Sequence, residues 1–155
     1  MVRQLDDATD MLLTSLLVAD GRATLKSLAE ASGLSLSAVQ ARVRRLEADG
    51  VIRGYVAEVD PEAVGQPLAA FISLTPLDPA HEYEIPATLE GLSEIASCHS
   101  VAGDFSFMLF VRVASPTALE TLIREIRTRA NVATRTTVVL QTSFERRAQP
   151  TDTPR

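Results

Sequence analysis

The hydrophobic period changes once along this chain, and that change limits the fold more than any other feature. Up to Gly50 apolar residues recur at helical spacing in runs closed by glycine; beyond Pro67 short alternating runs take over, broken by turns. The first part reads as three helices. Asp7, with Asp10 three residues later, caps a helix over 7–20 whose inward residues are Met11, Leu12, Leu16 and Ala19, and Gly21 stops it. Thr24 caps a second helix with Leu25, Leu28 and Ala29 inward, and Gly33 sits where a left-handed residue ends such a helix. Ser35 caps a third that runs to Ala48 or Asp49, with Gly50 beyond it. Two short helices joined by a tight glycine turn form a helix-turn-helix pattern.

After Gly50 the segment VIRGYVAEVD reads as a short strand or wing, and Asp60-Pro61 through Gly65-Gln66-Pro67 as a linker. Strands are then expected over 68–75, 94–101, 105–114 and 133–142. Helices are expected over 82–92, with Ile85, Leu89 and Leu92 inward, and from Ser115-Pro116 to Ala130, with Leu119, Leu122, Ile123 and Ile126 inward. The order β-α-β-β-α-β is the ferredoxin-like arrangement. The fold class is therefore α+β: a winged helix-turn-helix domain over 5–66, a ferredoxin-like domain over 67–143, and a polar tail over 144–155, expected to be disordered from Ala148. In the third strand Phe105, Phe107, Leu109, Val111 and Val113 alternate with Met108 and Phe110, so both faces are apolar. Two helices cover one face of a four-stranded sheet, and the other face is expected to form a homodimer. A twofold assembly of helix-turn-helix units suits a palindromic DNA site.

At 155 residues and 46% apolar content the chain holds one ordinary domain or two small ones. A single cysteine excludes an internal disulfide and a four-thiolate metal site. The first residues are acidic rather than basic and apolar, and no apolar run approaches a membrane span, so a cytoplasmic protein without a membrane partner is expected. A net charge of -5 argues against wholesale attraction to nucleic acid, so any such contact has to be local.

The third helix supplies that local site. On a helical wheel Leu36, Val39, Val43 and Leu46 make one stripe, expected to face the core. The opposite face holds Ser37, Ala41, Arg44 and Arg45, with Ala38 and Arg42 at one edge and Gln40 at the other. Small residues at the N-terminal end can approach base edges in a major groove, and guanidinium groups further along can reach phosphates or guanine edges. Together with the capping residues Thr24 and Ser35, these are the candidate DNA-binding residues, and 24–32 would brace the reading helix. A charged solvent face balanced by Glu47 and Asp49 is the plain alternative. Cys98 and His99 project to opposite faces of one strand and do not make a nucleophile or metal pair; with no phosphate-loop, GxGxxG or HExxH motif, neither an enzyme nor a metal or cofactor site is expected.

The stretch LDDATDMLLTSLLVADGRATLKSLAEASGLSLSAVQARVRRLEADGVIRGY, followed by SCHSVAGDFSFMLFVRV and TRTTVVL, resembles the Lrp/AsnC family of transcription regulators. The likeness spans about residues 5 to 143. It implies a regulator of amino-acid metabolism genes that binds double-stranded DNA and a small effector, commonly an amino acid, in dimers that assemble to tetramers or octamers. Carried over by position, Ser100, Val101, Ala102, Gly103 and Asp104, with Thr134 and Thr136, would line the effector site. There a turn's backbone N–H groups could hold an α-carboxylate and Asp104 an α-ammonium. Many members carry an acid and a tyrosine after that turn, where this chain has Ser106 and Phe107. Two other readings compete: a DNA-compacting architectural protein, and a metabolite-sensing ferredoxin-like subunit of an enzyme.

Overall fold

The structure is a computed structural model and describes residues 7–145; the expected disordered tail from Ala148 and the first residues of the helical domain lie outside them. The chain divides into two compact units between Glu58 and Val59, so the turn around Asp60 to Pro67 groups with the sheet rather than with the helices.

The first unit contains α1 (Ala8–Ala19), α2 (Leu25–Ser32) and α3 (Leu36–Ala48). Each begins on the expected cap. The Asp7 carboxylate accepts from the backbone N–H of Thr9 and Asp10, Thr24 Oγ1 from Ser27, and Ser35 Oγ from Ala38. Gly33 ends α2 at φ 70°, a left-handed conformation that costs glycine nothing. Leu13, Leu17, Leu28, Val39 and Val43 form the core. The expected inward stripe of α1 is corrected by one residue: Leu13 and Leu17 are buried, Leu16 packs at the margin, Met11 is half-buried, and Leu12 and Ala19 are exposed. In DMLLTSLLVA apolar residues occupy nearly every phase, and only packing against α2 and α3 selects one. Leu36 is a second correction, since it is 54% exposed while Val39, Val43 and Leu46 are buried. It stands in the first turn of α3, ahead of the stripe that contacts α1.

No strand forms over 51–67, so the expected wing strand is absent from the described residues. A strand needs a ladder partner, and here the chain instead folds back on α3, with the N–H groups of Val51 and Ile52 donating to Leu46 O. Ile52 closes the core from that side, and Tyr55 Oη donates to Glu47 at 2.9 Å.

In the second unit β1 (Leu68–Pro76), β2 (Ile95–Ser100), β3 (Phe107–Val113) and β4 (Val132–Val138) form an antiparallel sheet in the order β2-β3-β1-β4, with α4 (Ile85–Leu89) and α5 (Pro116–Ala130) supplying the helical layer. This is the ferredoxin-like topology. Ala70, Ile72 and Leu74 of β1 and Phe107, Leu109, Val111 and Val113 of β3 pack against Ile85, Leu89, Leu119, Leu122 and Ile126. The expected 82–92 helix is much shorter. A 3₁₀ turn over Pro79–Glu84 precedes α4, because Pro86 lacks an N–H and can stand only in a first helical turn. β4 ends at Val138 rather than 142: its register pairs Val138 with Ala70, and β1 begins two residues earlier. The opposite sheet face carries Phe71 and Phe110, with ring centroids 5.1 Å apart, Met108, and Arg112 stacked 5.1 Å from the Phe110 ring.

Candidate functional site

The three arginines of α3 differ in what surrounds them. Arg42 Nη1 donates to Asp7 Oδ2 at 2.9 Å and to Asp10 Oδ1 at 2.8 Å, and Arg45 Nη2 donates to Asp10 Oδ2. Both acids come from the start of α1. Arg44 is exposed and has no hydrogen bond or ion pair among the described residues. The guanidinium of Arg42, and then the Asp10 backbone N–H, hold the Asp7 carboxyl down to about 2; the Asp7 and Asp10 side chains in turn raise Arg42 above its ordinary value. Arg42 and Arg45 are thus balanced by the start of α1 and not by Glu47, which engages Tyr55.

Asp7 and Asp10 are the functional candidates that sequence reasoning missed. A signal existed: once Leu13 and Leu17 define the buried stripe of α1, Asp10 lies on it, and a carboxylate on an apolar stripe needs a cationic partner. The side chain of Asp10 is only 7% exposed.

Of the other candidate DNA-binding residues, Ser35, Ser37, Gln40 and Ala41 are exposed along α3 and Ala38 is half-buried. The Ser35 and Ser37 hydroxyls lie 3.2 Å apart at the helix start. Thr24 uses its Oγ1 in the α2 cap, accepting from the Ser27 N–H at 3.1 Å. The face is therefore small and polar at its N-terminal end, with Arg44 free one turn beyond Gln40 and Ala41.

In the sheet unit Ser100 ends β2, and Val101 to Ser106 form the connection to β3. The Val101 N–H donates to Ser106 O, and the Ser106 N–H to Leu74 O, so the turn is anchored to β1. Ala102, Gly103 and Asp104 are exposed, and Gly103 adopts φ 151°, a backbone conformation that side chains disfavour. Thr134 and Thr136 pair with Leu74 and Ile72, which places Thr134 across β1 from the same end of the sheet, where it accepts from Arg127 Nε at 2.7 Å. Within one chain β1 separates the two sets. Two hollows of the unit, of 420 Å³ beside Pro86 and Cys98 and of 210 Å³ beside Asp78 and His81, include none of these residues. Ser106 is half-buried and Phe107 is buried in the core, so the Phe107 side chain is not presented at the turn. Cys98 and His99 face opposite sides, opposite Leu109 and Met108, but Cys98 is exposed at the sheet edge rather than packed, although partial burial pushes its thiol up. The described residues hold no cluster suited to a metal ion, and no helix among them is long and apolar enough to cross a membrane.

Comparison with known proteins follows the same division. The winged helix-turn-helix DNA-binding family matches residues 6–53, and the Lrp/AsnC ligand-binding domain matches residues 69–149. The chain is 55% identical over 147 residues to the HTH-type transcriptional regulator LrpA of Mycobacterium tuberculosis, covering 95% of this chain and 97% of that one. It is 34% identical over 139 residues to the leucine-responsive regulatory protein of Salmonella typhimurium, covering 87% and 85%. Among solved structures, the feast or famine regulatory protein of M. tuberculosis complexed with L-methionine superposes with a TM-score of 0.91 at 54% identity, covering 94% of this chain and 99% of that one. The chain is therefore a member of the Lrp/AsnC family, a DNA-binding transcriptional regulator with an amino-acid ligand-binding domain and not an enzyme.

Proposed function

We propose that this regulator reads an operator with the exposed face of α3 and adjusts its DNA affinity to an amino acid bound at the Ser100 to Asp104 turn. Ser35, Ser37, Gln40 and Ala41 would approach base edges, Arg44 would contact phosphate or a guanine edge, and α2 from Thr24 would brace the helix against the backbone. The carrying observation is the grading of α3: exposed small residues at its start, then an Arg44 without a partner among the described residues, in a chain with a net charge of -5. Two copies would pair through the open sheet face that carries the exposed Phe71 and the half-buried Phe110, and dimers would assemble further. Because β1 separates Gly103 from Thr134 within a chain, a site using both would be completed by a second copy. The controlled genes would be those of amino-acid metabolism, and methionine is the first effector to test, since the relative solved with L-methionine is 54% identical.

The test has two arms. Sequences selected by the protein from a random duplex pool should be enriched in an inverted repeat, and Arg44→Ala should weaken binding to the selected site while leaving the melting temperature in place. A thermal-shift series over the twenty amino acids should show a rise for the effector, because a ligand of the native state stabilises it by mass action. Enrichment of no motif would remove the operator reading. A flat series would remove the effector reading.

A further inference from the structure

Arg42 and Arg45 stand three residues apart on α3, so they share a face, and both turn toward α1. The two oxygens of Asp10 are divided between them, and Asp7 adds a second carboxylate to Arg42. Two acids thus offset two guanidinium groups at the edge of the proposed DNA-reading face. An apolar residue at position 10 would continue the Leu13 and Leu17 stripe without any desolvation cost, so packing alone does not account for a buried carboxylate there. The side chain of Asp7 is 45% exposed and that of Arg42 29%, so a phosphate approaching Arg42 meets a carboxylate as well. Among the described residues Arg44 has no such counter-charge.

We infer that Asp7 and Asp10 are positioning residues for DNA binding: they hold Arg42 off the DNA backbone, fix the direction of Arg45, and so suppress sequence-independent attraction of α3 to duplex DNA. This rests on the reading of α3 as the DNA-contacting helix. Sequence-independent affinity comes from cations that displace condensed counterions, and each phosphate contact contributes about 0.9 to the slope of log affinity against log salt. A guanidinium already paired within the protein releases none. Discrimination then falls to the base-edge face, because the general electrostatic attraction has been reduced.

The experiment measures binding of the full chain to a mixed-sequence duplex about three helical turns long across a potassium chloride series. Asp7→Asn keeps a helix cap of equal quality while removing the charge. It should tighten binding severalfold and steepen the slope by up to about one. Asp10→Asn should act in the same direction; if it does not fold, Asp7→Asn decides. In an Arg42→Ala background Asp7→Asn should leave the slope unchanged, which a general effect of removing an acid would not. Arg42→Ala alone should keep the wild-type slope, whereas Arg44→Ala should reduce it by about one. Unchanged or weaker binding by Asp7→Asn, persistence of its effect without Arg42, or an equal loss of slope in Arg42→Ala and Arg44→Ala would overturn the inference. An unaltered slope in Arg44→Ala would instead remove the α3 reading beneath it.

Discussion

The side chains of α1 and α3 carry a pH dependence of known sign. Asp7 is held at about 2, against an ordinary 3.8, chiefly by its hydrogen bond from Arg42. A carboxyl lowered in the folded state contributes stability that is complete above its unfolded value and is lost as pH falls through the folded one. The helical unit should therefore lose stability between about pH 4 and pH 2 as Asp7 takes up its proton. Thermal melts across that window should fall steeply for the wild type and less steeply for Asp7→Asn. Equal slopes would show that the Asp7 pair contributes nothing. Identity by itself misjudged this region, since Arg42, Arg44 and Arg45 look alike in RVRRLE while, among the described residues, Arg42 and Arg45 have carboxylate partners and Arg44 has none.

The helix ends were legible because a cap is a local contract between neighbouring residues. Thr24, Ser35 and Ser115 each accept from the third residue on, as their sequence context implies. Ser35→Ala should cost about 1 kcal/mol, read as a lower midpoint in a urea titration, and an unchanged midpoint would show that the Ser35 cap carries no weight. Where elements depend on distant partners, the sequence was a poorer guide. The residues after Gly50 have strand-like composition and form no ladder, and apolar spacing over 82–92 suggested a helix that Pro86 confines to Ile85–Leu89. The inward positions Ile85, Leu89 and Leu92 were nevertheless correct, because the chain curves back over the same core.

At the scale of the molecule, the sheet leaves one face uncovered by its own helices, and Phe71 is 41% exposed on it. Burying such a face in a dimer would remove apolar surface from water, and a charge placed there would oppose it. If the proposed pairing uses this face, the wild type should run as a dimer in light scattering and Phe110→Asp should shift it toward monomer while the sheet unit stays folded; a dimer that withstands the substitution would place the interface elsewhere. Gly103→Thr should impair the response to the effector without changing assembly. A Cβ added at Gly103 meets nothing within 4 Å, so the effect would come from the φ of 151° that the turn requires and from blocking the approach of a ligand. An identical ligand titration of that variant would move the site away from this turn.

Helix caps, strand order and the two-part organisation lay within the sequence, because spacing and turn residues act over a few neighbours and leave few alternative topologies. The phase of α1, the missing wing strand and the short α4 were decided by packing and by strand partners that local pattern does not encode. So was the division of labour among the arginines. Residues 35 positions apart came together only when α1 crossed α3, and a buried carboxylate then took two of the three positive charges as partners.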